Sequence, residues 1–256
     1  MSELAAELLE LALSTARKAG ELVSSRPENF DLHQKSSIDD FATQMDHASE
    51  KLIVESILAA RPDDGLIGEE GASRPSKSGI TWVIDPIDGT VNYFYGLPGW
   101  NISIAAKDES GVLVGVVNAP SLNSIWHGVR GGGAFRNSAP IRCNQTKELE
   151  RSLIATGFSY DRESRIKQAE FITGLIADVR DIRRTGAAAT DLCAVATGWV
   201  DGYFETSLNE WDIAAGGLIA TEAGAVLSGR MGAQAGKEMT ICAGPTIHAL
   251  LSARIG

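Results

Sequence analysis

The chain has 256 residues, 44% of them hydrophobic and 22% charged, with 33 acidic against 23 basic side chains and a net charge of −10 at pH 7. That length can bury a substantial core, as one large domain or two fused halves. The acidic balance argues against an extended phosphate-backbone interface, so no nucleic-acid partner is expected, and no apolar run approaches the ~20 residues that span a bilayer.

Small phosphorylated substrates stay open, because a bound cation reverses the local sign of charge. The N-terminal stretch MSELAAELLELALSTARKAGELV is interrupted by acidic residues and has no positive n-region, so the expected location is the cytoplasm. Cys143, Cys193 and Cys242 are widely spaced and odd in number, which predicts reduced thiols. His33, His47, His127 and His248 show no close pairing, and a zinc site is not expected.

Apolar positions at Leu4, Leu8, Leu11, Thr15, Ala19 and Leu22 predict an amphipathic helix over 3–25. Thr43 reads as the N-cap of a second helix through Met45, Leu52, Ile53 and Ile57, ending before Pro62. Short β-type runs follow at 65–68, 80–85, 102–107, 112–117 and 124–129, with a hairpin signal, RGGGA, at 130–134. Beyond about residue 150 the pattern alternates. Helices are expected at 164–177, 187–198, 211–223 and 245–254, and strands near 179–183, 201–205 and 239–243. The predicted class is α+β with a largely antiparallel sheet over 1–150 and α/β over 151–256, joined as one compact unit.

WVIDPIDGTVN, 82–92, aims two carboxylates at the end of a strand that reads as buried on both faces. Pro86 ends ladder bonding there, and a D-P-I-D turn can bring Asp85 and Asp88 to one side. Carboxylates so close repel, and a divalent cation resolves the conflict by taking both. Gly89 lets the backbone approach a ligand, and the N–H groups of Gly89 and Thr90 can receive an anion. A polar turn of common turn formers accounts for this hexapeptide equally well. GLIGEEGAS adds Glu69 and Glu70 after another strand, and LNEWDIAAGGLIATEAGA puts Asp212 in a first helical turn, where capping is the usual role. Small residues along that helix predict close packing that holds the aspartate firmly. The set Glu69, Asp85, Asp88 and Asp212 is all oxygen, which suits Mg²⁺ or Mn²⁺ over Zn²⁺.

Five motifs in order carry a resemblance: KSSIDDFATQMD (35–46), IGEE (67–70), WVIDPIDGTVN (82–92), RRTGAAATDLCAVATGWVDGYFE (183–205) and EWDIAAGGLIATEAGAVL (210–227). The chain resembles the inositol monophosphatases, bacterial type, among the Mg²⁺-dependent, Li⁺-sensitive phosphatases that include fructose-1,6-bisphosphatases. The resemblance implies a layered αβαβα sandwich, a homodimer and two or three Mg²⁺ ions, with Mn²⁺ able to substitute. It implies Glu69, Asp85 and the Ile87 carbonyl on a first metal, and Asp85, Asp88 and Asp212 on a second. Thr90 would pair with Asp46 to deprotonate the attacking water, with Glu69 contributing to a third metal through waters. Backbone N–H groups of Gly89 and Thr90 would hold phosphate. Asp88, Glu205, Asp212 and the backbone around Gly186 and Ala188 would hold substrate hydroxyls. Lys35 matches a basic residue near the metal-bound loop. Arg183 and Arg184 are open to a local ion pair or to reaching an active site, including a partner subunit's.

The implied reaction is hydrolysis of myo-inositol 1-phosphate by a metal-activated water. No His or Cys nucleophile lies beside the motifs. Glu205, an anion, disfavours a second phosphate and favours polyol hydroxyls. It also suits the cationic end of histidinol phosphate, an enzymatic alternative. An alternative of another class is a regulatory binding protein with secondary phosphatase activity. Departures from the family pattern are Ile38, Met45, Val91, Trp100, Asn101 and Ala187. None is expected to touch a ligand, and they leave substrate choice and loop mobility open.

Overall fold

A computed structural model describes residues 2–35, 37 and 40–255; Ile38 therefore lies outside the described residues. Helix α1, Glu3–Ser24, starts at Ser2, whose hydroxyl accepts the Ala5 N–H at 3.2 Å. Its buried stripe holds Leu8, Thr15 and Ala19 as expected, but also Ala5, Ala12 and Ala16, while Leu4 is 40% exposed. The reason is close approach. A Cβ on Gly20 would sit 2.4 Å from Asn118 Nδ2, so the helix turns its small residues inward. A hairpin of β1 (Leu32–Gln34) and β2 (Phe41–Thr43) leads into α2 (Gln44–Ala60), capped by Thr43 as expected.

Next come β3 (Gly65–Gly68), β4 (Ser73–Arg74), β5 (Thr81–Asp88), α3 (Thr90–Tyr95), β6 (Asn101–Asp108), β7 (Gly111–Ala119), β8 (Ser124–Val129), β9 (Gly133–Arg136) and β10 (Ala139–Pro140). The strands form one sheet, ordered β10-β9-β8-β7-β6-β5-β3-β4, in which the β3–β5 pair is parallel and the other pairs are antiparallel. The chain continues with β11 (Leu153–Thr156), α4 (Arg162–Leu175), β12 (Asp181–Arg183), α5 (Ala188–Thr197), β13 (Gly202–Glu205), α6 (Glu210–Glu222), β14 (Val226–Ser228), β15 (Thr240–Ala243) and α7 (Pro245–Ile255). Here the order is β12-β11-β13-β15-β14. Strand β11 is parallel to β12 and β13, but β15 runs antiparallel to both its neighbours, so this sheet is mixed and not purely α/β.

Five layers follow from where the apolar faces go. Helices α1 and α2 bury Leu8, Ile53 and Ile57 against Trp82, Ile84 and Ile104 of the large sheet. Helices α5 and α6 fill the space between the sheets with Leu192, Val195, Ala215 and Ile219 against Val117 and Tyr203. Beyond the smaller sheet, Leu175 of α4 and Ile247 and Leu251 of α7 cover Ile154, Phe204 and Ile241. Each such aliphatic side chain stabilises the fold by about 1.5–3 kcal/mol on full burial. The result is the αβαβα sandwich. The middle layer is thin: a Cβ on Gly115 of β7 would lie 2.9 Å from Ala215 Cα, and one on Gly216 would lie 2.9 Å from Leu192 Cβ.

All three cysteines are buried and free. Two histidines do pair in space, His33 and His47, with ring centroids 5.2 Å apart. Among the described residues no helix is long and apolar enough to cross a membrane.

Candidate active site

The run expected to stop at Asp85 instead continues to Asp88, and a bulge makes the site. Asp85 pairs with Ser103 of β6 and Asp88 with Asn101, so three steps on β5 span two on β6. In a regular strand residues three apart point to opposite faces. The extra residue, beside Pro86, returns Asp88 to the face of Asp85. The bulge is fastened by the Ser49 hydroxyl, which donates to Pro86 O at 2.9 Å.

Gly89 then takes φ +85°, and α3 begins at Thr90. Only glycine fits: the backbone is left-handed, and a Cβ would sit 3.0 Å from Ala187 Cβ. The Thr90 hydroxyl lies 3.0 Å from Asp46 Oδ1 and 3.1 Å from Ile87 O. Asp46 is fully buried in the first turn of α2, where its other oxygen accepts the Thr43 N–H at 2.7 Å and hydroxyl at 2.6 Å. Helix α2 thus holds the carboxylate on which Thr90 rests. Burial raises the Asp46 pKa, and the Thr43 bonds oppose the rise.

A cavity of about 490 Å³ collects Lys35, Glu69, Asp85, Ile87, Asp88, Gly89, Thr90, Gly186, Ala188, Glu205 and Asp212. Asp46 stands behind Thr90. Arg183, by contrast, points away and pairs with Asp181 at 2.5 Å, while its neighbour Arg184 lines the cavity. Residues 157–161, GFSYD, also line the cavity. A larger groove of about 850 Å³ adjoins it beneath α6, sharing Trp211 and Lys237. Its one carboxylate, Glu210, is tied to Lys107 at 2.5 Å, so the groove lacks the paired acids of the smaller cavity.

The acids are held against their own charge. Burial, then Glu69, Asp88 and Asp212, push the Asp85 carboxyl well above the usual range. Burial brings Asp88 to about 6, despite donors from Asn101, Ala189 and Ala188, and Asp212 is raised by burial and by Asp88. Burial lifts Glu69 to about 7, opposed by Lys35, whose ammonium lies 2.8 Å from Glu69 Oε1 and also bonds Glu70. Glu205 reaches about 7 through burial, and its Oε2 accepts the Tyr203 hydroxyl at 2.6 Å. Asp212 Oδ2 accepts the Asn209 N–H at 2.6 Å, so it caps α6 while lining the cavity.

Among the described residues no three of these groups already converge as a finished cation cage. The donor set nevertheless fits a hard divalent cation. It is all oxygen, and beyond burial the charges of Glu69, Asp88 and Asp212 raise the Asp85 carboxyl, a repulsion that a cation would relieve. Glu69, Asp85, Asp88, Asp212 and the Ile87 carbonyl are the groups available to hold it.

Several functional contacts lie outside what the sequence suggested. Asn101 donates to Asp88 at 2.7 Å, so this departure from the family pattern does touch a proposed ligand. Asn92 donates to Thr185 O at 2.8 Å, and the Thr185 hydroxyl lies 2.6 Å from Asp191, which ties α3 to the 185–188 turn.

The model of the "Inositol monophosphatase family" matches residues 4–254. The chain belongs to the inositol monophosphatase family. Members of this family are generally metal-dependent phosphatases, in keeping with the acids gathered here. The chain is 41% identical over 225 residues to "Nus factor SuhB" of Haemophilus influenzae, covering 86% of this chain and 84% of that protein. It is 41% identical over 201 residues to "Inositol-1-monophosphatase" of Mycobacterium bovis, covering 75% and 69%. The crystal structure of extragenic suppressor protein suhB from Bartonella henselae superposes with a TM-score of 0.92 at 30% identity, over 97% of this chain and 98% of that one.

Proposed function

We propose that this inositol monophosphatase-family protein hydrolyses the phosphate monoester of a small polyol, myo-inositol 1-phosphate, with Mg²⁺ in the carboxylate cluster. The Thr90–Asp46 pair carries the reading, because Thr90 lines the cavity that also holds Asp85, Asp88 and Glu205. A bound divalent cation would supply positive charge that acidifies water and stabilises the phosphoryl oxygens.

The chain's own groups do the rest. Thr90 Oγ1 accepts a proton from the attacking water as its own proton passes to Asp46 Oδ1. Backbone N–H groups at Gly89 and Thr90 hold phosphate oxygens. Water attacks phosphorus in line, the P–O bond to the polyol breaks, the leaving oxygen takes a proton from a water molecule, and Asp46 returns its proton to solvent. Glu205 and Asp88 accept hydrogen bonds from the substrate hydroxyls.

Parallel kcat/KM measurements on inositol 1-phosphate and histidinol phosphate, with Mg²⁺ and with chelator, test the assignment. A large preference for inositol 1-phosphate that chelation abolishes supports it, and a preference for histidinol phosphate moves the substrate. A second reading, a regulatory binding protein with secondary phosphatase activity, is favoured by the name "Nus factor SuhB" of relatives such as that of Haemophilus influenzae. No metal-dependent phosphate release from any ester, with retention of a protein partner in a pull-down, would select it. The homodimer is proposed by family analogy, and light scattering at micromolar concentration checks it.

A further inference from the structure

Asn101 opens β6 directly across from Asp88 and is fully buried. Its Nδ2 donates to Asp88 Oδ2 at 2.7 Å and to Thr190 Oγ1 at 2.9 Å. The Thr190 hydroxyl gives its own proton to Gly99 O at 2.7 Å, so its lone pair is what receives the amide. From α5, the Ala189 N–H reaches Asp88 Oδ2 at 2.8 Å and the Ala188 N–H reaches Oδ1 at 3.1 Å. Oδ2 therefore takes two protein donors, the number its lone pairs accommodate. Oδ1, held by the Ala188 N–H, is the oxygen left to face a ligand.

The far end of the same amide is unsatisfied: Asn101 Oδ1 is buried with no hydrogen-bond partner. A buried carbonyl without a donor opposes folding, and a small apolar residue would remove that cost. Aspartate would set one more carboxylate against Asp88. Alanine or leucine would leave Oδ2 with the Ala189 N–H and no side-chain donor. The amide reaches both Asp88 and Thr190, at the expense of its own oxygen.

We propose that Asn101 is a positioning residue for Asp88. By committing Oδ2 to the protein, it presents Oδ1 to the divalent cation and to the substrate hydroxyl without reorientation on binding. This rests on the metal-dependent phosphatase reading above. Outer partners of ligating carboxylates typically change metal affinity by about 10–100-fold.

The test is Mn²⁺ binding to the full chain, read by electron paramagnetic resonance of free Mn²⁺, alongside melting in chelator. Asn101→Ala is expected to weaken Mn²⁺ binding about tenfold or more. Its melting temperature in chelator should hold or rise, because the orphan carbonyl is gone. Asn101→Ser, which keeps a donor, should recover part of the affinity. Thr190→Val removes the amide's second anchor, should lose affinity in the same direction, and carries the test if Asn101→Ala fails to fold. Wild-type Mn²⁺ affinity in Asn101→Ala and Thr190→Val overturns the proposal, as does an equal loss in the alanine and serine variants with a lowered melting temperature. Absence of Mn²⁺ binding by the wild type overturns the metal-dependent reading itself, which separates the two failures.

Discussion

Asp46 is both the third residue of the α2 capping box and the acceptor facing the Thr90 hydroxyl at 3.0 Å, so helix geometry fixes the direction of proton transfer. Thr90→Ala should lower kcat by about 10²–10⁴-fold, the usual contribution of a positioned proton acceptor. The far-ultraviolet circular dichroism should stay unchanged, because the α2 cap rests on Thr43. Glu205→Gln should raise KM for inositol 1-phosphate roughly tenfold, the worth of one hydrogen bond to a charged group. Steady-state kinetics check both. Asp85, Asp88 and Thr90 were legible because their neighbours in sequence carry the pattern. Asn101 was not, since its contact with Asp88 exists only once β5 pairs with β6 across a bulge. Arg183 and Arg184 could not be separated in the sequence. Strand alternation separates them: Arg183 ends β12 and turns out to Asp181, and the next residue turns toward the cavity.

At the scale of elements, the glycines between the sheets set the distance at which α6 carries Asp212. Gly115→Val would force a side chain into the space 2.9 Å from the Ala215 backbone, and destabilisation of about 1–3 kcal/mol or more is expected in chemical unfolding. The long helices were readable from periodicity, and the central strands from continuous apolar runs, because those strands are buried on both faces. Strands β11 and β14 were not among the expected strands. Helix α3 was hidden in DGTVN, whose glycine and threonine read as a phosphate loop, although Gly89 both closes the loop and starts the helix. The α1 stripe keeps Leu8, Thr15 and Ala19 but buries Ala5, Ala12 and Ala16 where Leu4 and Leu11 were expected, because alanines make the close contact.

For the molecule as a whole, the clustered acids link folding to pH and to cations. Glu69 and Glu205 sit at about 7 and Asp88 at about 6, all above the ordinary carboxylate range. The folded protein therefore binds these protons more tightly than the unfolded chain. The stabilisation they bring is complete below the ordinary values and is lost as pH rises through about 6–7. In chelator, the melting temperature should fall from about pH 5 to about pH 8. A saturating divalent cation should restore it at the upper end and flatten the slope, whereas a flat profile in chelator would deny that burial raises these carboxyls. The most direct measurement is phosphate release from inositol 1-phosphate by the wild type and by Asp85→Asn across a Mg²⁺ titration, with circular dichroism on both. Saturable, Mg²⁺-dependent release by the wild type and its near-complete loss in a folded Asp85→Asn protein is the expected result. Near-normal turnover by folded Asp85→Asn would contradict the account.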